Sequence, residues 1–156
     1  MTAAYVRRSK PTDVPAVAAH MRQADRDEVS VDGGDPKQAL LLGLLTCKPC
    51  MTICGPDDKP VGMYGVSPQG DRVGAVWLLG TDELVQRKDI RLRFLREVKA
   101  HLAALLREYD LLWNCVDARN EVHVKWIRWA GFTFIAEHPN YGGKGRRFLE
   151  FCKVRT

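Results

Sequence analysis

From Asp89 to Tyr109 the apolar residues Ile90, Phe94, Val98, Leu102, Leu105 and Tyr109 recur every three or four positions, with Leu95 and Leu106 widening the stripe. That is the period of an amphipathic helix packed on a core. It is preceded by "DRVGAVWLLG" at 71–80 and followed by "DLLWNCV" at 110–116, both apolar runs of strand length. This succession constrains the fold most, because two parallel strands need a long crossover and a helix between strands supplies it. The chain is expected to contain a parallel strand pair with this helix lying on the sheet.

Upstream, "CMTICG" and "KPVGMYGVS" are joined by the turn sequence "PDDK", and "PQGD" leads into "DRVGAVWLLG". Three antiparallel strands follow from those turn signals. "AYVRRS" reads as a first strand. "KPTDVPAVAAHMRQADRDEV" reads as one helix, with Thr12 or Asp13 as N-cap and Val14, Val17, Ala18 and Met21 at helical spacing. Gly33, Gly34 and Pro36 break it, and "DPKQALLLGLLT" opens a second short helix with Asp35 as N-cap and Pro36 in the first helical position. Downstream, "NEVHVKWIRWAG" returns to helical period with Val122, Trp126 and Trp129 on one side, and "FTFIAE" and "RRFLEFCKV" are closing strands. The expectation is a single α/β domain over residues 1–156, with a mixed sheet and helices on both faces.

Composition narrows the function classes. With 46% hydrophobic and 28% charged residues the chain is too apolar for a disordered segment. The net charge of +5 selects no partner, since Lys and Arg are interleaved with Asp and Glu. Aromatics at helical spacing read as core, so a nucleic-acid platform is not expected. The start, "MTAAYVRRSKPTDV", lacks the apolar run of a signal peptide, and "ALLLGLL" at 39–45 is far short of the roughly 20 residues a bilayer needs, so a cytoplasmic, membrane-free protein is expected. Five cysteines read as reduced thiols. In "CKPCMTIC" at 47–54 a redox pair should close a strand and open a helix, yet Pro49 and the β-prone "MTIC" suggest the reverse order. A zinc site there lacks a second pair, so no metal is expected.

The stretch "NEVHVKWIRWAGF" resembles the late motif of the GNAT superfamily of N-acetyltransferases, in which an Asn stands about eleven residues before a Gly-Phe pair, as Asn120 does before Gly131 and Phe132. The blocks "MRQADRDEV" at 21–29, "VGMYGVS" at 61–67, "VWLLGTDEL" at 76–84 and "YDLLWNCVDARNEVHVKWIRWAGF" at 109–132 are similar to GNAT-like proteins of short-tailed phages, described either as internal virion proteins or as acetyltransferases. The resemblance implies a GNAT-like fold in which the strands near 74–80 and 110–116 run parallel and splay at their C-terminal ends. Trp126 and Trp129 would then pack inward. It implies acetyl-CoA as cofactor and a small-molecule or protein amine as acceptor. Its other implication is a non-catalytic morphogenesis role among virion proteins, in the virion or the host cytoplasm.

Carried onto this sequence, the cofactor side comprises Leu79, Gly80 and Thr81 at a strand end, Arg87, Lys88 and Arg91 at the helix start, and Asn120. The sequence departs from the family here: Asp89 and Arg91 stand near the places of the phosphate-loop glycines, and Asp89 is expected to cap the helix. Three cations at a helix start oppose the dipole, so they are either solvated or hold an anion. The family's tyrosine, seven residues after the Asn, is Ile127 here. His123, Cys115 and Tyr64 are possible replacements, His123 being equally readable as a surface or capping group. Glu28 or Asp25 could act as a base through water, with Arg22, Asp25, Arg26 and Asp82 on the substrate side. The simplest reading of Arg22, Asp25 and Glu28, at i,i+3 spacing, is solvent-exposed pairing. Asn114 and Asp117 could cap elements or line a cleft.

Overall fold

The computed structural model describes residues 3–31 and 33–156. In chain order the elements are β1 (Tyr5–Arg8), α1 (Asp13–Ala19), α2 (Gln23–Ser30), α3 (Pro36–Thr46), β2 (Cys50–Cys54), β3 (Pro60–Pro68), β4 (Val73–Gly80), α4 (Asp82–Gln86), α5 (Lys88–Glu108), β5 (Leu111–Asp117), α6 (Glu121–Trp129), β6 (Thr133–Tyr141) and β7 (Arg146–Val154). The strands form one sheet in the order β1-β2-β3-β4-β5-β7-β6. Every neighbouring pair is antiparallel except β4 and β5, which are parallel across the α5 crossover.

Alternation along β4 sorts its side chains between the two faces. Leu79 and Trp77 join Val14, Val17, Leu40 and Met63 under α1 and α3. Leu78 packs with Tyr64, Ile90 and Phe94 beneath α5, and Val76 with Leu102, Leu105 and Leu112. Asp35 caps α3 as its position suggests, accepting from the Gln38 amide at 3.2 Å. No helix among the described residues is long and apolar enough to cross a membrane.

β4 and β5 meet only at the start of their run. Val73, Gly74 and Ala75 pair with Leu111, Leu112 and Trp113, and the ladder then ends although β4 runs on to Gly80 and β5 to Asp117. The splay expected at this place is present. Asn114 sits where the strands part, its Nδ2 donating to the Val76 carbonyl at 2.8 Å and its Oδ1 accepting from the Cys115 amide at 2.7 Å.

Three expectations need correction. The first predicted helix is two, because the chain between α1 and α2 runs beside the end of β4: Met21 bridges Thr81, and the Arg22 amide donates to the Gly80 carbonyl at 2.9 Å. The helix start at 87–91 is preceded by the extra turn α4, anchored by the fully buried Leu84, and a Cβ on Gly80 would come within 2.7 Å of Leu84 Cδ2. Trp129 does not pack inward. It is 56% exposed, its Nε1 donating to the Leu95 carbonyl at 2.9 Å, whereas Trp126 packs against Phe94 with ring centroids 5.8 Å apart. Trp126→Ala is therefore expected to cost about 3 kcal/mol in urea unfolding and Trp129→Ala about 1 kcal/mol or less. Equal costs would contradict this placement.

Candidate functional site

Beyond the last rung of the β4–β5 ladder lies a cleft of about 410 Å³ lined by Trp77, Phe94, His101, His123, Trp126 and Phe148 among others. Val76, Leu78 and Gly80 share one parity, so their backbone groups face this gap. Asn114 takes the Val76 carbonyl. Both polar groups of Gly80 are also engaged, its amide donating to Asp25 Oδ2 at 2.8 Å and its carbonyl accepting from Arg22. Leu78 is left between them as the strand's face toward the cleft.

Where strand ends would otherwise gape, a polar network spans them. Arg22 Nη1 reaches Asp25 Oδ1 at 3.1 Å and Asn120 Oδ1 at 3.2 Å. Asn120 Nδ2 donates to Asp25 Oδ1 at 2.8 Å and to Glu28 Oε1 at 3.1 Å, and Glu28 Oε1 also accepts from the Asp117 amide at 3.1 Å. α2 thus holds the end of β4 through Asp25 and the end of β5 through Glu28. Asp25 is 0%, Asn120 1% and Arg22 9% exposed. The solvent-exposed pairing read from i,i+3 spacing is overturned: the same spacing places Arg22 and Asp25 side by side in the interior.

Burial and the neighbouring Asp25 charge push the Glu28 carboxyl up to about 8, against the bonds from Asn120 and the Asp117 amide. It therefore carries its proton at neutral pH. Burial lowers His123, which is 5% exposed, so its ring is neutral. Its Nδ1 lies 3.5 Å from Asp25 Oδ1, which favours the proton there, and Nε2 is buried with no hydrogen-bond partner. His123 and Glu28 both line the cleft. An unsatisfied imidazole nitrogen beside a protonated carboxyl can accept and supply protons. Burial pushes Tyr64 up to about 12, and burial with Glu150 pushes Cys115 up to about 11, so both keep their protons. Burial would raise Asp117, but its bonds from Arg119 outweigh that and hold its carboxyl low.

The other expected site residues lie apart from this group. Arg26 donates to the Ala18 carbonyl at the end of α1 at 2.7 Å and to the Met21 carbonyl beyond it at 3.0 Å. Asp82 and Lys88 are exposed at the starts of α4 and α5. Leu79 pairs with Met63 on β3, and Thr81 gives both its amide and its hydroxyl to the Val61 carbonyl, at 2.9 and 2.8 Å. Asp89 is not the cap of α5. The cap position is Arg87, and Asp89 Oδ2 receives Arg87 Nη2 at 2.7 Å, a pairing that holds the Asp89 carboxyl below its ordinary value. Arg87 also faces Glu83 at 3.8 Å, and Arg91 Nη1 donates to the Val85 carbonyl at 2.7 Å. Two of the three cations at this helix start are thus neutralised or tied down from within the chain.

In overall shape the chain superposes on solved acetyltransferases. These include the acetyltransferase (GNAT family) from Bacillus anthracis (TM-score 0.74, 10% identity, 98% of this chain and 95% of that one). They also include a GCN5-related N-acetyltransferase from Kribbella flavida (TM-score 0.72, 18% identity, 97% and 98%). A third is the ribosomal-protein-S5-alanine acetyltransferase from Vibrio fischeri (TM-score 0.69, 18% identity, 99% and 94%). The fold is the GNAT fold, and identities this low carry the fold alone. No curated protein matches the chain in sequence. Residues 61–139, just over half of the chain and running from within β3 into β6, match the model of the family described as "Bacteriophage T7, probable scaffold protein Gp13", and the chain belongs to that family.

Proposed function

We propose that this protein is an assembly component of a short-tailed phage, an internal virion or scaffold-type protein that retains the GNAT fold without using it for acetyl transfer. The observation that carries this reading is the start of α5. An acyl-CoA pyrophosphate needs open first-turn amides and glycines that let it approach. Here Asp89 and Arg91 bring side chains where the resemblance puts glycines, and Arg87, paired with Asp89, stands at the same turn. In this reading the side chains that replace the glycines disfavour the phosphate end of acetyl-CoA. Family membership supports a partner set of virion proteins, in the virion or in the host cytoplasm during assembly.

The test is calorimetric titration with acetyl-CoA together with complementation. The natural protein is expected to show no binding in the micromolar range. A phage lacking this protein should be restored by the Glu28→Gln and His123→Ala variants in proportion to how much folded protein each supplies. Micromolar binding, or folded variants that fail to restore particles, would overturn the assembly reading in favour of chemistry.

One observation favours a second reading, N-acetyl transfer to an amine. Glu28 and His123 face an apolar cleft beside the splayed strand, and His123 Nε2 has no internal partner. In that reading His123 would accept the amine proton. Glu28 would become a base only as pH rises through about 8.

A further inference from the structure

A second constellation lies on the half of the sheet formed by β5, β7 and β6. Register sets Cys115 of β5 opposite Glu150 of β7, and on the other side of β7 sets Ala136 of β6 opposite the same Glu150. His138, two residues beyond Ala136, shares its face. The Cys115 sulfur, a His138 ring nitrogen and a Glu150 carboxylate oxygen all lie within 4.8 Å of one another, and all three residues are half-buried. His138 Nε2 and Glu150 Oε1 are 2.8 Å apart.

We propose that Cys115, His138 and Glu150 form a binding site for a zinc-class divalent cation, with a fourth position open to water. Thiolate, imidazole and carboxylate are the donor types of zinc, and three protein ligands with one open position are a recurrent arrangement. Ligand bonds of about 2.0–2.3 Å in a tetrahedron place the donors roughly 3.3–3.7 Å apart, so small side-chain rotations close the site. The ligands stand on three adjacent hydrogen-bonded strands, a rigid base that fixes their spacing.

Proton balance is simple. The Cys115 S–H bond breaks, its proton leaves to solvent, and a sulfur–metal bond replaces it. His138 binds through Nε2: the proton lying between Nε2 and Glu150 Oε1 leaves to solvent or passes through it to Nδ1, and the metal takes its place. Without a cation the thiol, half-buried beside Glu150, stays protonated.

The second cluster of close donors among the described residues, Asp25, Glu28 and His123, is not a comparable site. The Arg22 guanidinium already sits on Asp25, and Glu28 keeps its proton. Cys47 and Cys50 point to different partners, Cys47 Sγ accepting from Trp77 Nε1 at 3.2 Å and Cys50 Sγ lying 3.4 Å from Ser9 Oγ.

Cobalt titration of the full chain in metal-free buffer tests the proposal, because thiolate-bound Co²⁺ gives a charge-transfer band and strong visible absorption when tetrahedral. One cobalt per chain is expected, displaced by zinc. Cys115→Ser should abolish the charge-transfer band, and His138→Ala should weaken binding roughly tenfold or more. Cys152→Ser and the double variant Cys47→Ser with Cys50→Ser should keep the band. Circular dichroism of each variant without metal confirms that it is folded. Absence of the band in the natural protein, its survival in Cys115→Ser, or its loss in the Cys47 and Cys50 double variant would overturn the site.

Discussion

Asp25→Ala is expected to destabilise the protein by about 3–5 kcal/mol. The carboxylate is fully buried and accepts from the Gly80 amide, Asn120 Nδ2 and Arg22 Nη1. Removing it leaves a guanidinium buried without its counter-charge and a backbone amide without an acceptor. Each is costly, and both arise at once. Asp25→Asn should lie between, since its carbonyl oxygen can still serve Gly80 while its NH2 group opposes Arg22. Urea unfolding with unchanged m-values measures the loss. A cost below about 1 kcal/mol would mean that water reaches this network and that it does not join the two strand ends.

Glu28→Gln is expected to act in the opposite direction at alkaline pH. Folded Glu28 holds its proton up to about pH 8, whereas the unfolded side chain releases it near 4.5. Across that window the folded state binds more protons, so stability falls as pH rises. The contribution is complete below about 4.5 and gone above about 8. Glutamine keeps an oxygen for the Asp117 amide and Asn120 but has no proton to lose. At pH 9 the variant should be more stable than the natural protein by roughly 2–4 kcal/mol, with the difference vanishing near pH 4. Asp13 and Asp117 bend the other way. Their folded carboxyls are held low against burial, chiefly by Arg7 and Arg119 respectively, so their contributions are lost as pH falls, in both proteins alike. Parallel pH–stability curves for Glu28→Gln and the natural protein would show that Glu28 is ionised in the folded state.

The crossover, the meander and the closing hairpin were legible because hydrophobic period and turn residues are local signals. α5 carries its stripe in its own sequence, and "PDDK" and "PQGD" announce their turns. What stayed hidden was decided by residues far away in the chain. The apolar spacing of Val14, Val17, Ala18 and Met21 runs on through the break between α1 and α2, because what interrupts the helix is the bridge from Met21 to Thr81, sixty residues on. The Arg22–Asp25 pair has the spacing of a surface pair, and only Asn120 and Gly80 closing over it make it interior. α4 did leave a trace, since Thr81 followed by Asp82 and Glu83 is a helix-start signature inside a stretch otherwise read as loop. Trp129 misled because helical spacing gives an angle and not a depth: α6 turns its second tryptophan past the edge of the core onto Leu95. The Cys115, His138 and Glu150 group had no sequence signal at all, being assembled by strand register.

The short ladder and the network at the strand ends together give the cleft an unusual outline. Three rungs sew β4 to β5 at one end, and the Asp25–Asn120–Glu28 contacts fasten them again at the other. The gap is an eyelet in the sheet, rimmed all round, and not a notch open at its edge. Side chains from both faces of the sheet line it, Trp77 on the α3 side and Trp126 and Phe94 on the α5 side.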